Sequence, residues 1–242
     1  MPNLPEVSSS SPPTVSLPSR RVVQVLASVA AILLLASIAG QVVKYGFGHD
    51  HVFGLVRLFN VDDEMNLPTW YASMTLAASS VLLALIGFAR RTVGKADSWY
   101  WLGLSLVFLY VSADEAAFMH ELLNPVLRQS LVLPGLLYYG WVSAGIVVVA
   151  VGGLLYARFV WRLPRPIRRA FILAAALYLG GALGVEMLGA AHAYRYGVDN
   201  LGYSIWTTIE EALEMAGVIV FIHGLLRQLE ADGPVLLRST RG

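Results

Sequence analysis

Apolar residues along this chain fall into long unbroken runs, separated by short polar stretches that hold most of the charge. A span of a bilayer needs about 20 consecutive apolar residues in a helix, and six runs are that long. The pattern predicts helices over 22–43, 68–89, 99–121, 137–160, 169–193 and 204–227. The expected fold is therefore all-α, a polytopic integral membrane protein with six transmembrane helices. Residues 1–19 are rich in Pro and Ser, lack apolar periodicity and cannot bury a core, so they are expected to form a disordered tail. Residues 20–229 form the membrane domain, and 230–242 a second short tail.

The first apolar run admits two readings. Ser37-Ile38-Ala39 before Gly40 resembles the small-residue cleavage site of a signal peptide. The run is long enough to span, which favours an uncleaved anchor.

Composition agrees with the pattern: 57% of the 242 residues are hydrophobic and 14% charged, against about 25% charged in soluble domains. Cysteine is absent, which excludes disulfides, thiolate metal sites and cysteine nucleophiles. A net charge of +1 gives no sign of nucleic-acid binding. The placement of the charges says more. Arg20, Arg21, Arg90, Arg91, Lys95, Arg158, Arg162, Arg165, Arg168, Arg169, Arg227, Arg238 and Arg241 flank one side of the predicted spans, and only Lys44, Arg57, Arg128 and Arg195 the other. The positive-inside rule then puts both termini in the cytoplasm, in a cell's inner membrane.

With that orientation, acids gather in the outer part of three spans. The segment YVSADEAAFMHE (110–121) carries Asp114, Glu115, His120 and Glu121. Span 5 carries Glu186 and His192, and span 6 Glu210, Glu211 and Glu214. At 1.5 Å per residue, Asp114, Glu186 and Glu210 all come to lie roughly 8–12 Å below the outer surface. Thr207, Glu210, Glu211 and Glu214 share one helical face by their i, i+3, i+4, i+7 spacing, and Asp114 and Glu121 are seven apart. Glycines 180, 181, 184 and 189 around Glu186 would let helices approach closely. Spans 3, 5 and 6 are expected to pack around a polar pocket open outward, because a charge facing lipid is costly.

Other polar residues have simpler readings. His120 and Glu121 can be interfacial caps of span 3, and His192 of span 5. Asp62, Asp63 and Glu64 precede Pro68 and are expected to complement a helix N-terminus. His49 and His51 sit in the first outer loop, where they could fold over the pocket, and His223 lies at the inner interface. The six tryptophans read as interfacial belts.

The acids offer oxygen and imidazole ligands, a set that suits Zn, Fe or Mn. Asp114, Glu115, Glu210 and Glu211 are the expected catalytic groups; His120, Glu121, Glu186, His192, Glu214 and Asp114 are the expected metal ligands. Glu-x-x-His, H-E-x-x-H and nucleophile-elbow motifs are all missing. The leading expectation is a metal-dependent membrane enzyme, a hydrolase or oxidoreductase, acting on a membrane lipid or other lipophilic small molecule. A proton- or cation-coupled transporter using the same carboxylates is the alternative, and a non-catalytic membrane partner or sensor a third reading.

Overall fold

A computed structural model of the chain describes residues 19–130 and 135–236. The expected tail 1–19 lies outside these except for Ser19, as do the last residues, 237–242. The described residues form helices and no strand. In chain order they are α1 (Ser19–Phe47), α2 (Leu55–Phe59), α3 (Leu67–Thr92), α4 (Ser98–Ala117), α5 (Leu123–Ser130), α6 (Trp141–Arg162), α7 (Arg165–Leu179), α8 (Glu186–Tyr196) and α9 (Leu201–Leu236). A 3₁₀ turn, His120–Leu122, joins α4 to α5, and another, Gly135–Leu137, precedes α6. A π-helical segment, Gly180–Val185, runs α7 into α8.

Four of these elements are long and apolar enough to cross a membrane: α1, α3, α6 and the continuous run Arg165–Tyr196. A fifth results if α4 and the helix after it, bent by 71°, count as one span. The bend corrects the expected helix over 99–121. Phe118 takes a left-handed φ of 52°, a conformation that ends a helix. His120 and Glu121 therefore leave the face that an unbroken helix would have given them, and Glu121 no longer lies two turns above Asp114.

Two features explain why the bundle assembles. The first is a serine zipper between α3 and α4. Ser73 Oγ donates to the Ser112 carbonyl and Ser112 Oγ to that of Ser73, both at 2.9 Å. Ser80 and Ser105 repeat the exchange at 2.7 and 2.9 Å. The pairs stand seven residues apart on each helix, two full turns, so one seam carries both. Small residues that also satisfy each other's polar groups are the usual glue between apolar helices.

The second is the approach of α7 to α9. A Cβ placed on Gly217 would lie 2.7 Å from the Tyr178 nitrogen, and one on Gly181 would lie 2.8 Å from the Glu210 carbonyl oxygen. Backbone meets backbone there because neither glycine has a side chain. Of the glycines expected to permit close packing, Gly181 does so, whereas Gly180 and Gly184 face open space. Gly217, on the other helix, is a partner that no spacing in the sequence singles out.

The long helix α9 runs through the centre, against α1, α3, α7 and α8. Its second half is sealed by aromatic rings: Phe221 stacks on Phe108 with centroids 4.5 Å apart and lies 4.7 Å from Phe171. The basic residues collect at this end. Arg90 grips Asp232 through Nε at 2.8 Å and Asp97 through Nη1 at 2.5 Å. Val22 and Leu26 of α1 pack near Leu226, and Phe171 of α7 near Leu225. At the other end Lys44 pairs with Asp199 at 2.8 Å.

The candidate site is a carboxylate-walled cavity

The first loop is held down onto the bundle by buried amides. Gln41 of α1 donates to Asn60 Oδ1 at 2.5 Å and accepts from Ser204 of α9 at 3.3 Å. Asn66 Nδ2 donates to the carbonyls of Asn60 and Asp63 at 2.6 and 2.8 Å, while its Oδ1 accepts from Thr69 N at 3.1 Å. Asn66 is thus the N-cap of α3, the task that the sequence suggests for Asp62, Asp63 and Glu64. Those three acids, freed from it, line a cavity instead.

That cavity measures 340 Å³. Into it α4 sends Asp114 and Glu115, the turn after it His120 and Glu121, the start of α8 Glu186, and α9 Thr207, Glu210, Glu211 and Glu214. All the site residues expected from the sequence meet here except His192. His192 Nε2 pairs with Asn200 Oδ1 at 2.8 Å, and its ring lies 4.9 Å from that of Tyr196. Gly197, at φ 77°, turns the chain back after α8, so His192 braces the α8–α9 turn and stays out of the cavity. His49 and His51 also lie outside it, exposed in the first loop.

Within the cavity the acids are arranged in pairs. Glu186 hydrogen-bonds Glu210 and accepts from Trp141 Nε1 at 3.3 Å. Two carboxyls can share a hydrogen bond only if one holds a proton, since the ionised group only accepts. The Tyr178 hydroxyl serves Glu214. Glu64 pairs with Glu121 across the mouth, and burial with the Glu121 charge holds the Glu64 carboxyl above its ordinary range. Burial and the neighbouring Asp63 push Asp62 up to about 6, with Lys44 opposing. The π-helical Gly180–Val185 segment sits directly before Glu186; such extra-residue turns rotate the next helical residues and are frequent at functional sites.

One pair differs from the rest. Asp114 Oδ1 accepts the backbone N–H of His120 at 2.7 Å, and Oδ2 lies 2.8 Å from His120 Nδ1. The bend at Phe118 makes this possible, because a straight helix would carry His120 away from Asp114. With its hydrogen on Nδ1 the ring donates to Asp114 Oδ2 and keeps Nε2 as its basic nitrogen. The Trp141 ring, 4.7 Å from the imidazole, holds its face.

The chain matches the model of a domain of unknown function, DUF8692, over residues 18–229. It belongs to that family. No curated protein matches the chain, and no solved structure matches it either. The DUF8692 match covers the helical bundle up to the last turns of α9, and all the residues that line the cavity.

The expectation of a Zn, Fe or Mn centre finds no ligand set here. Among the described residues no three His, Asp or Glu side chains gather in a way that could hold a metal ion. Three of the expected ligands are already engaged: Asp114 spends both oxygens on His120, Glu186 turns to Glu210 and Trp141, and Glu214 to Tyr178. Trp141, Tyr178, Tyr139 and Tyr203 join the cavity without being expected from the sequence. Trp141 reads there as part of an interfacial belt. The Tyr139 and Tyr203 hydroxyls meet at 2.9 Å on the rim, and nothing in their spacing signals that pairing.

Proposed function

We propose that the protein is a six-span enzyme of the membrane, with both termini cytoplasmic, that performs general acid–base chemistry on a lipophilic substrate in the outward-facing cavity. The fixing of His120 by both oxygens of Asp114 carries this reading. An imidazole whose Nδ1 is held by a carboxylate has a set tautomer and a set direction, the arrangement that makes histidine an efficient base. His120 is the catalytic base, and Asp114 is its positioning residue. The paired carboxyls Glu186 and Glu210 supply a proton within the same cavity, so a base and an acid line one space. Helix α9 is the sixth span: its 36 residues extend about 54 Å.

The transporter reading has less support. Beyond the acids, towards the basic end, the bundle is closed by the Phe108, Phe171 and Phe221 rings, and no polar side chains continue the path along α9 there until His223.

Purified protein in vesicles made from total membrane lipid, followed by mass spectrometry, tests the proposal. Wild-type protein should convert a lipid species with time. His120→Ala should slow that conversion by ~100-fold, the usual contribution of a general base, and Asp114→Asn should slow it less. Equal conversion by wild type and His120→Ala, or no conversion by wild type, would overturn it.

A further inference from the structure

Below the carboxylates, and sharing Tyr178 and Leu179 with their cavity, lies a second cavity of 230 Å³. Its wall is apolar: Leu104 and Phe108 of α4, Val160 of α6, Phe171 of α7, Val218 and Phe221 of α9. The hydroxyls of Tyr156 and Tyr178 are the polar side-chain atoms of that lining. Helix α6 encloses it loosely. Among its described residues only Val142 and Phe159, near the two ends, are buried. Between them the inward stripe Gly145, Val149, Gly152, Tyr156 keeps a 3–4 spacing, and a Cβ on Gly152 would meet no atom within 4 Å. Ala175 of α7, on the cavity's edge, is exposed. The slot therefore opens sideways, towards lipid, between α6 and α7.

Among the described residues the upper cavity is lined by ten carboxyl groups, with His120 as the one basic side chain and no Lys or Arg. Glu115 and Glu211 are neighbours deep in its wall. Neither carboxyl has a hydrogen-bond partner among the described residues. Both side chains are half-buried and line the cavity, so a ligand that displaces water from it must satisfy them. A ligand that donates hydrogen bonds or brings positive charge satisfies the two groups as carboxylates, and the adjoining slot takes an apolar chain.

We propose that the two cavities form one site for a single-chain amphiphile with a protonated amine head, the ammonium lying between Glu115 and Glu211 and the alkyl chain running past Tyr178 into the slot behind α6. An ammonium offers three donors to acceptor-only carboxylates. An anionic head would be repelled by the same wall, and a two-chain lipid would leave one chain without a slot. This inference names the substrate class of the acid–base reading and rests on it for the chemistry, though binding itself requires no turnover.

The test uses the full chain in nanodiscs and a twelve-carbon primary amine with a photoactivatable diazirine near its tail. Labelling, mapped to the residue, should fall on Phe108, Tyr156, Phe221 or their neighbours in the slot wall. Unlabelled dodecylamine should compete at concentrations at least tenfold lower than dodecanoate or propylamine. Glu115→Gln with Glu211→Gln should lower labelling at least tenfold. Ala175→Phe, at an exposed position where the fold has room, should block the slot and lower it as well. Equal competition by dodecanoate would overturn the proposal, as would labelling confined to the exposed Val147 and Leu154 on the outside of α6. So would unchanged labelling in the folded Ala175→Phe protein. His120→Ala should retain labelling: turnover lost with binding kept supports both readings, and binding without any lipid conversion by wild type leaves this inference standing while the catalytic one fails.

Discussion

Gly217 offers the sharpest test of how the bundle places its acids. A Cβ there would sit 2.7 Å from the Tyr178 nitrogen, 2.9 Å from its Cβ and 3.0 Å from the Ala174 carbonyl oxygen. These are backbone or backbone-fixed atoms, so no rotamer change relieves the clash. To reach an ordinary 3.4 Å contact, α7 must withdraw from α9 by about 0.7 Å. Overpacking of this kind costs about 1–3 kcal/mol. Replacing a helical glycine by alanine returns about 0.5–1 kcal/mol through lower chain entropy in the unfolded state. Gly217→Ala should therefore be neutral at best and about 2.5 kcal/mol less stable at worst.

Gly180→Ala provides the contrast. It lies on the neighbouring element with nothing within 4 Å of the added carbon, so only the favourable propensity term remains. The assay is reversible unfolding of detergent-solubilised protein in a denaturing surfactant, with near-UV signals reporting tertiary structure. Gly180→Ala should unfold later than wild type and Gly217→Ala earlier than Gly180→Ala by about 1–3 kcal/mol. If the two alanines are equally stabilising, α7 and α9 are not in backbone contact, and the placement of Glu186 beside Glu210 fails with it.

Three other measurements probe separate parts of the protein. Ser80→Ala with Ser105→Ala removes two hydrogen bonds of 2.7 and 2.9 Å; at about 0.6 kcal/mol each in a membrane, unfolding should become easier by about 1 kcal/mol, and Ser80→Leu should cost more through steric exclusion. Asp62, raised to about 6 against an ordinary 3.8, binds its proton more tightly in the folded chain, so its contribution to stability is fully present below pH 4, falls as pH rises through 4 to 6, and is constant above; the difference in Tm between wild type and Asp62→Asn, measured from pH 4 to 7, should change over that interval and nowhere else. Single cysteines at positions 93 and 165 should resist an impermeant thiol reagent in intact cells while one at 55 reacts, and labelling of either of the first two would remove the proposed topology.

Much of this is legible in the residue pattern. The apolar runs point to an all-helical architecture and to most helix positions, because hydrophobic length depends on local composition. The face Thr207, Glu210, Glu211 and Glu214 does line the cavity, since an unbroken helix preserves its spacing. Spacing fails where the helix breaks. The left-handed Phe118 turns His120 back onto Asp114, and a phenylalanine carries no sequence sign of that conformation, which glycine or asparagine would have given. The loop acids mislead for a related reason: Asn66 sits nearer to α3 than they do and takes the cap. Trp141 and Tyr178 escape notice because an aromatic at a helix end has the same local pattern whether it faces lipid or a carboxylate.

The separation of polar and apolar space along α9 limits what the site can do. Its first half presents three glutamates to the cavity, and its second half presents Val218 and Phe221 to the apolar slot. A water-soluble substrate would find partners in the upper space and nothing to fill the lower one, whose dry wall gains only from apolar surface at about 25 cal/mol per Å². A purely apolar substrate would fill the lower space and leave Glu115 and Glu211 unsatisfied. Only a molecule with both characters satisfies both walls at once. Because the slot opens beside the exposed Ala175, such a molecule can enter sideways with its chain never leaving the hydrocarbon and its head sliding in along α6. The loosely packed α6 is thus the element whose displacement admits substrate. Tethering it should be selective in effect: a bifunctional thiol reagent that bridges cysteines at 152 and 175 should abolish labelling by the long-chain amine while leaving the serine-zippered α3–α4 pair and overall stability intact. Undiminished labelling in the cross-linked protein would show that the amphiphile enters from the outer mouth instead, past Glu64 and Glu121.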